Sequence, residues 1–95
     1  MIISFADKET QKVFQQMLST KLPIDIQRIA LRKLIMIDNA ASLNDLRVPP
    51  SNHLEKLSGK LKGKWSIRIN DQWRICFTPI NSGKDYSDVQ IVDYH

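Results

Sequence analysis

Apolar side chains recur in the first part of the chain at helical spacing. Val13, Phe14, Met17 and Leu18 fall on one side, and Gln11, Lys12, Gln15 and Gln16 on the other, the pattern of an amphipathic helix. Asp7 precedes this run, and its carboxylate can accept orphan amides of a first turn. Pro23 suits the first turn of a second helix. There Ile26, Ile29, Ala30, Leu34 and Ile37 form an apolar face, and Asp25, Arg28 and Arg32 a polar one. The two segments read as antiparallel helices with a short connection. Residues 1–5, before them, read as a short strand.

Residues 39–52 form a connector. Ser42 with Asp45 can start a single turn there, and Pro49-Pro50 stops anything longer. Beyond it the period changes to two. Residues 54–57 are expected as a short strand, 58–63 as a flexible loop, and 64–69 with 73–78 as a hairpin. Residues 79–87 read as a turn region and 88–94 as the last strand. A strand, a two-helix hairpin and a small antiparallel sheet make an α+β fold, a single domain over residues 1–95.

The hairpin is constrained by parity. A two-residue turn at Asn70-Asp71 would put Trp65, Ile67 and Ile69 on the opposite sheet face from Trp73, Ile75 and Phe77. A three-residue turn, Asn70-Asp71-Gln72, pairs Ile69 with Trp73 and gathers all six on one face. The other face then collects Lys64, Ser66, Arg68, Arg74, Cys76 and Thr78. With Val89 and Ile91 assigned to the core, Gln90, Val92 and Tyr94 join that second face. It is expected to be open and cationic.

The chain has 95 residues, 42% of them apolar and 25% charged, which suits one globular core and excludes wholesale disorder. No apolar run approaches the ~18 residues of a membrane span, and acid at Asp7 comes too early for a signal peptide. Together with the lone Cys76, this points to a cytoplasmic protein without an intrachain disulfide or membrane association. One cysteine and two histidines are too few for a dedicated structural zinc site, and no cofactor is expected.

The net charge is +4, and its placement matters more than its size. Lys56, Lys60, Lys62, Lys64, Arg68 and Arg74 lie between His53 and Arg74, opposed only by Glu55 and Asp71. This one stretch carries the whole surplus, which marks it as a surface for polyanions, nucleic acid first among them. A solvated lysine loop is the plain alternative.

Two arginines on one sheet face suit a phosphodiester, because guanidinium forks bind phosphate oxygens in pairs. The terminal Asp93, Tyr94 and His95 add groups able to move protons. That inventory fits metal-independent RNA cleavage, in which a 2′-hydroxyl attacks the adjacent phosphorus, an arginine stabilises the phosphorane and an acid protonates the leaving oxygen. The same residues also fit structural roles. Arg68 and Arg74 could pair across strands with Asp71 or Asp93, Cys76 could be a small packing residue, and His53 could be a loop histidine.

The run Ser66-Ile67-Arg68-Ile69-Asn70-Asp71-Gln72-Trp73-Arg74-Ile75-Cys76-Phe77, followed by the terminal Val92-Asp93-Tyr94-His95, resembles the HigB (plasmid-maintenance killer) branch of the RelE/ParE toxin superfamily. Ile2-Ile3-Ser4-Phe5, Arg32-Lys33-Leu34 with Ile37-Asp38, and Leu43-Asn44-Asp45-Leu46-Arg47 with Pro49-Pro50 also fit, so the resemblance spans the chain. It implies a RelE-like microbial RNase fold and a toxin that cleaves messenger RNA in the ribosomal A site without a metal. It further implies a HigA-like helix-turn-helix antitoxin, the pair binding operator DNA. The family's catalytic residues fall on Arg74, Asp93, Tyr94 and His95; Lys56, Lys60, Lys62, Lys64 and Arg68 are assigned to RNA and ribosome binding. The chain departs from the family where well-studied members carry a histidine and a lysine, having Glu55 and Ser58 there. The competing readings are a ParE-like toxin that binds gyrase and an RNA- or ribosome-binding module with weakened catalysis.

Overall fold

The computed structural model describes residues 1–94. Helix α1 spans Lys8–Phe14, and Asp7 caps it by accepting the Thr10 amide at 2.7 Å. The helix is shorter than the apolar spacing predicts. Gln16 turns left-handed at φ 62°, and the amides of Gln16 and Met17 close back onto the carbonyls of Val13 and Lys12, the two bonds of a Schellman stop. Met17 and Leu18 therefore leave the buried face and are 54% and 65% exposed.

Helix α2 spans Ile24–Asn39, with Pro23 at its cap position rather than inside its first turn. The connection between the helices is held from α2. The Gln27 amide donates to the carbonyls of Ser19 and Leu22, each at 2.9 Å, and Gln27 Oε1 accepts the Ser19 amide.

Among the described residues, four antiparallel strands form one sheet in chain order: β1 (Glu55–Lys56), β2 (Trp65–Arg68), β3 (Trp73–Ile80) and β4 (Asp85–Asp93). Arg68 lies opposite Arg74 and Ile67 opposite Ile75, the register of the three-residue turn. Asn70 builds that turn, its Oδ1 accepting the amides of Gln72 and Trp73 at 2.9 and 2.8 Å. Ile67, Ile69, Ile75 and Phe77 are buried, and Trp65 and Trp73 pack half-buried against them. The helices close this side through Val13, Ile26, Ala30, Leu34 and Ile37.

The turn region expected at 79–87 is mostly strand. β3 runs on through Pro79 to Ile80, and β4 begins at Asp85 after a tight turn at Asn81–Gly83. Pro79 is tolerated because β2 stops pairing at Phe77, so beyond it β3 has a neighbour on one side only. Gly83 is required in the turn: at φ 87° an added Cβ would lie 2.4 Å from the Leu43 amide nitrogen.

A bulge then shifts the β3–β4 register between Cys76 and Thr78. Phe77 on β3 faces two residues of β4, and Asp88 takes φ 51° to fit the extra one. The consequence is that Tyr86, not Ser87, joins Val89 and Ile91 in the core. Its ring meets Phe77 edge-on, the centroids 5.3 Å apart.

The same bulge accounts for the first residues. In place of the expected strand over residues 1–5, the segment touches β4 through two isolated parallel bridges, Ile2 with Tyr86 and Phe5 with Val89. The bulge interrupts any continuous ladder between them. Among the described residues, no helix is long and apolar enough to cross a membrane.

Candidate active site

The second sheet face is not the open surface that its polar sequence suggests. Ser66, Arg74 and Cys76 are all buried, and Arg74 is only 8% exposed. A segment distant in sequence covers this side: the chain leaving the short turn Pro50–Asn52 bends left-handed at His53, φ 45° and ψ 56°. The His53 carbonyl accepts from Arg74 Nη2 at 2.6 Å. Arg74 Nε donates to Ser66 Oγ at 2.8 Å, and Glu55 Oε2 lies 3.6 Å from Nη2. Tyr94 supplies another wall, with the guanidinium 5.5 Å from its ring centroid, in cation–π range.

β4 brings the terminal residues to this guanidinium. Asp93 lies opposite Trp73, and the Tyr94 amide donates to the Gln72 carbonyl, extending the pairing past the strand. Asp93 Oδ2 accepts from Gln72 Nε2 at 3.2 Å. The structure thus places Arg74 and Tyr94 together, with Asp93 next along the strand. His95 lies outside the described residues.

The basic residues are spread more widely. Arg68 donates to Asp71, which is the structural pairing open to it from the sequence. Lys60 and Lys62 are exposed in and after the turn Gly59–Leu61, and Lys64 is half-buried at the foot of β2. Lys56 is exposed but pairs with Trp65, whereas Glu55 pairs with Ser66. Residues directly opposite in a ladder share a face, so Lys56 belongs to the side of Trp65 and Glu55 to the side of Arg74. Cys76 is buried, and burial raises its thiol pKa against the opposing pull of Arg74 and Lys64. That fits a packing role.

Several residues of the site escape the sequence reading. Glu55, a departure from the family pattern, forms an ion pair with the central arginine. Ser66 looks like an ordinary outward strand residue yet holds Nε. Lys33 is 4% exposed, and its Nζ donates to Asn52 Oδ1 at 2.6 Å. Burial, and then Arg32, Arg68 and Arg74, pull the Lys33 pKa down. The signal for Lys33 was present: it stands three residues after Ala30, seven after Ile26 and four before Ile37, on the buried stripe of α2.

A two-helix layer on an antiparallel sheet is also the fold of a solved toxin chain. A Staphylococcus aureus toxin solved in a heterotetrameric YoeB–YefM toxin–antitoxin complex superposes with a TM-score of 0.61 at 24% identity, over 100% of this chain and 95% of that one. The family model for the HigB-like toxin, described as a RelE-like toxin of the type II toxin–antitoxin system HigB, matches residues 3–95. The chain belongs to this family. Toxin HigB-1 of Vibrio cholerae is 40% identical over 78 residues, covering 81% of this chain and 82% of that protein. Endoribonuclease HigB of Proteus vulgaris is 34% identical over 96 residues, covering 100% of both.

Proposed function

We propose that this toxin, an endoribonuclease, cuts messenger RNA held on the ribosome. The observation that carries this reading is the Arg74 guanidinium, held between the Tyr94 ring and the Glu55 carboxylate. Nε and Nη2 are committed to Ser66 and His53. Nη1, without a hydrogen-bond partner among the described residues, is left to take a phosphoryl oxygen. In the reaction a 2′-oxygen forms a bond to the adjacent phosphorus and the bond to the 5′-oxygen breaks. The products are a 2′,3′-cyclic phosphate and a 5′-hydroxyl end. Arg74 neutralises charge on the crowded phosphorane, where a fixed cation contributes most. Proton transfer falls to Glu55, Asp93 and Tyr94 beside it, and to His95 by resemblance to the family alone.

Lys56, Lys60, Lys62, Lys64 and Arg68 supply attraction for RNA rather than chemistry. The partner that restrains the toxin is a HigA-like helix-turn-helix antitoxin, and the pair binds operator DNA in the cytoplasm. Replacing Lys60 and Lys62 by Gln is expected to weaken ribosome binding and flatten its salt dependence. Each lost phosphate contact should reduce the slope of log affinity on log salt by about 0.7–0.9. A salt titration with the wild-type slope contradicts the assignment of these lysines.

A further inference from the structure

Lys33 is a buried cation with an unusual set of neighbours. Among the described residues it makes no ion pair, and its hydrogen-bond partner is Asn52 Oδ1 at 2.6 Å. An apolar side chain of similar length would fill the same space without the cost of burying charge. Asn52 is itself fully buried and ties three parts of the chain together. Its Nδ2 donates to the carbonyls of Leu46 and Val48 at 3.2 and 3.3 Å, and its own amide bonds to the Pro49 carbonyl at 2.9 Å. The next residue is His53, whose left-handed backbone aims its carbonyl at Arg74 Nη2, 2.6 Å away.

We propose that Lys33 is a positioning residue for Arg74, acting through Asn52 and the His53 carbonyl. The ammonium fixes the Asn52 amide, the amide fixes the turn, and the turn holds one arm of the guanidinium while Ser66 holds Nε. Without Lys33 a buried oxygen loses its donor, and the turn gains freedom at the His53 carbonyl, which makes the shortest contact to Nη2, ahead of the Ser66 carbonyl at 3.4 Å and Glu55 at 3.6 Å. Reacting groups tolerate little misplacement, so a remote residue of this kind changes rate more than binding.

The proposal rests on the reading of Arg74 as the phosphorane ligand, and two readouts separate the two. Lys33→Met is expected to lower kcat for cleavage of ribosome-bound messenger RNA about 10- to 100-fold with KM nearly unchanged. It should also move or broaden the Arg74 Nε–Hε cross-peak in a ¹⁵N NMR spectrum. Lys33→Arg, which keeps a donor, should restore much of both. In an Arg74→Lys background Lys33→Met should cost less than about twofold more, because the group it positions is gone.

An unmoved Arg74 signal in folded Lys33→Met overturns the proposal, as does a full additional loss of rate in the Arg74→Lys background. If Lys33→Met does not fold, Lys33→Leu, which likewise has no donor for Asn52 Oδ1, carries the same measurements. A displaced signal combined with wild-type cleavage by Arg74→Lys supports the positional link and overturns the catalytic reading of Arg74.

Discussion

Arg74→Lys is expected to cut messenger-RNA cleavage by about 10²- to 10³-fold, the usual cost of removing one donor aimed at developing charge. Lysine keeps the positive charge but not the fork. Its three N–H groups all leave one nitrogen, so it cannot reach Ser66 Oγ and the His53 carbonyl from separate nitrogens while a third nitrogen faces the phosphoryl group, as the guanidinium can. Single-turnover cleavage on ribosomes is the relevant assay, since it separates chemistry from binding. Arg74→Ala goes further and also affects the fold. Read from sequence as a solvated strand residue, it would cost roughly 0–1 kcal/mol of stability. Buried as it is, its removal strands Ser66 and the His53 carbonyl, at about 2–3 kcal/mol by the usual worth of hydrogen bonds to a charged group. A lowered thermal midpoint is therefore expected for Arg74→Ala, and a smaller drop for Arg74→Lys.

The largest effect on folding is expected from Phe77→Ala. Phe77 is fully buried and meets Tyr86 edge-on. Truncating such a ring costs about 3–5 kcal/mol, a large share of the ~5–15 kcal/mol that holds a small domain together. Trp73→Ala, on the same face, should cost less because Trp73 is only half-buried at the end of the hairpin. The alternating pattern alone would rank the two rings equally. Urea unfolding of both variants checks the order, and a Trp73→Ala less stable than Phe77→Ala contradicts it.

The hairpin was legible because strict alternation met specific turn chemistry. Asn70 can accept two amides at once, and only a three-residue turn puts six apolar side chains on one face. The paired strands β2 and β3, helix α2 and the cap at Asp7 followed from local signals of this kind. The structure departs from these local signals where a single residue takes an uncommon backbone. Gln16 and Asp88 both turn left-handed without being glycine; the first ends α1 early, and the second moves Tyr86 into the core. Glutamine gives no sign of that conformation, and aspartate only a weak one.

The candidate site was half legible. Arg74, Asp93 and Tyr94 were marked by their chemistry and by their resemblance to the HigB branch, and β3–β4 pairing brings Arg74 and Tyr94 together. Its burial was not legible, because the cover comes from His53, 21 residues before Arg74, through a backbone carbonyl that carries no sequence signature. Strand parity says which face a side chain takes and nothing about what lies on it. Lys33 illustrates the converse, since its place on the apolar stripe of α2 was readable but its partner was not.

The central claim, that the toxin works by cutting translated messenger RNA at Arg74, is tested most directly by mapping RNA ends after brief expression without antitoxin. Wild-type protein is expected to produce new 5′-hydroxyl ends within reading frames, and folded Arg74→Lys to produce almost none. Intact messenger RNA accompanied by double-strand DNA breaks, or wild-type cleavage by Arg74→Lys, would contradict the account.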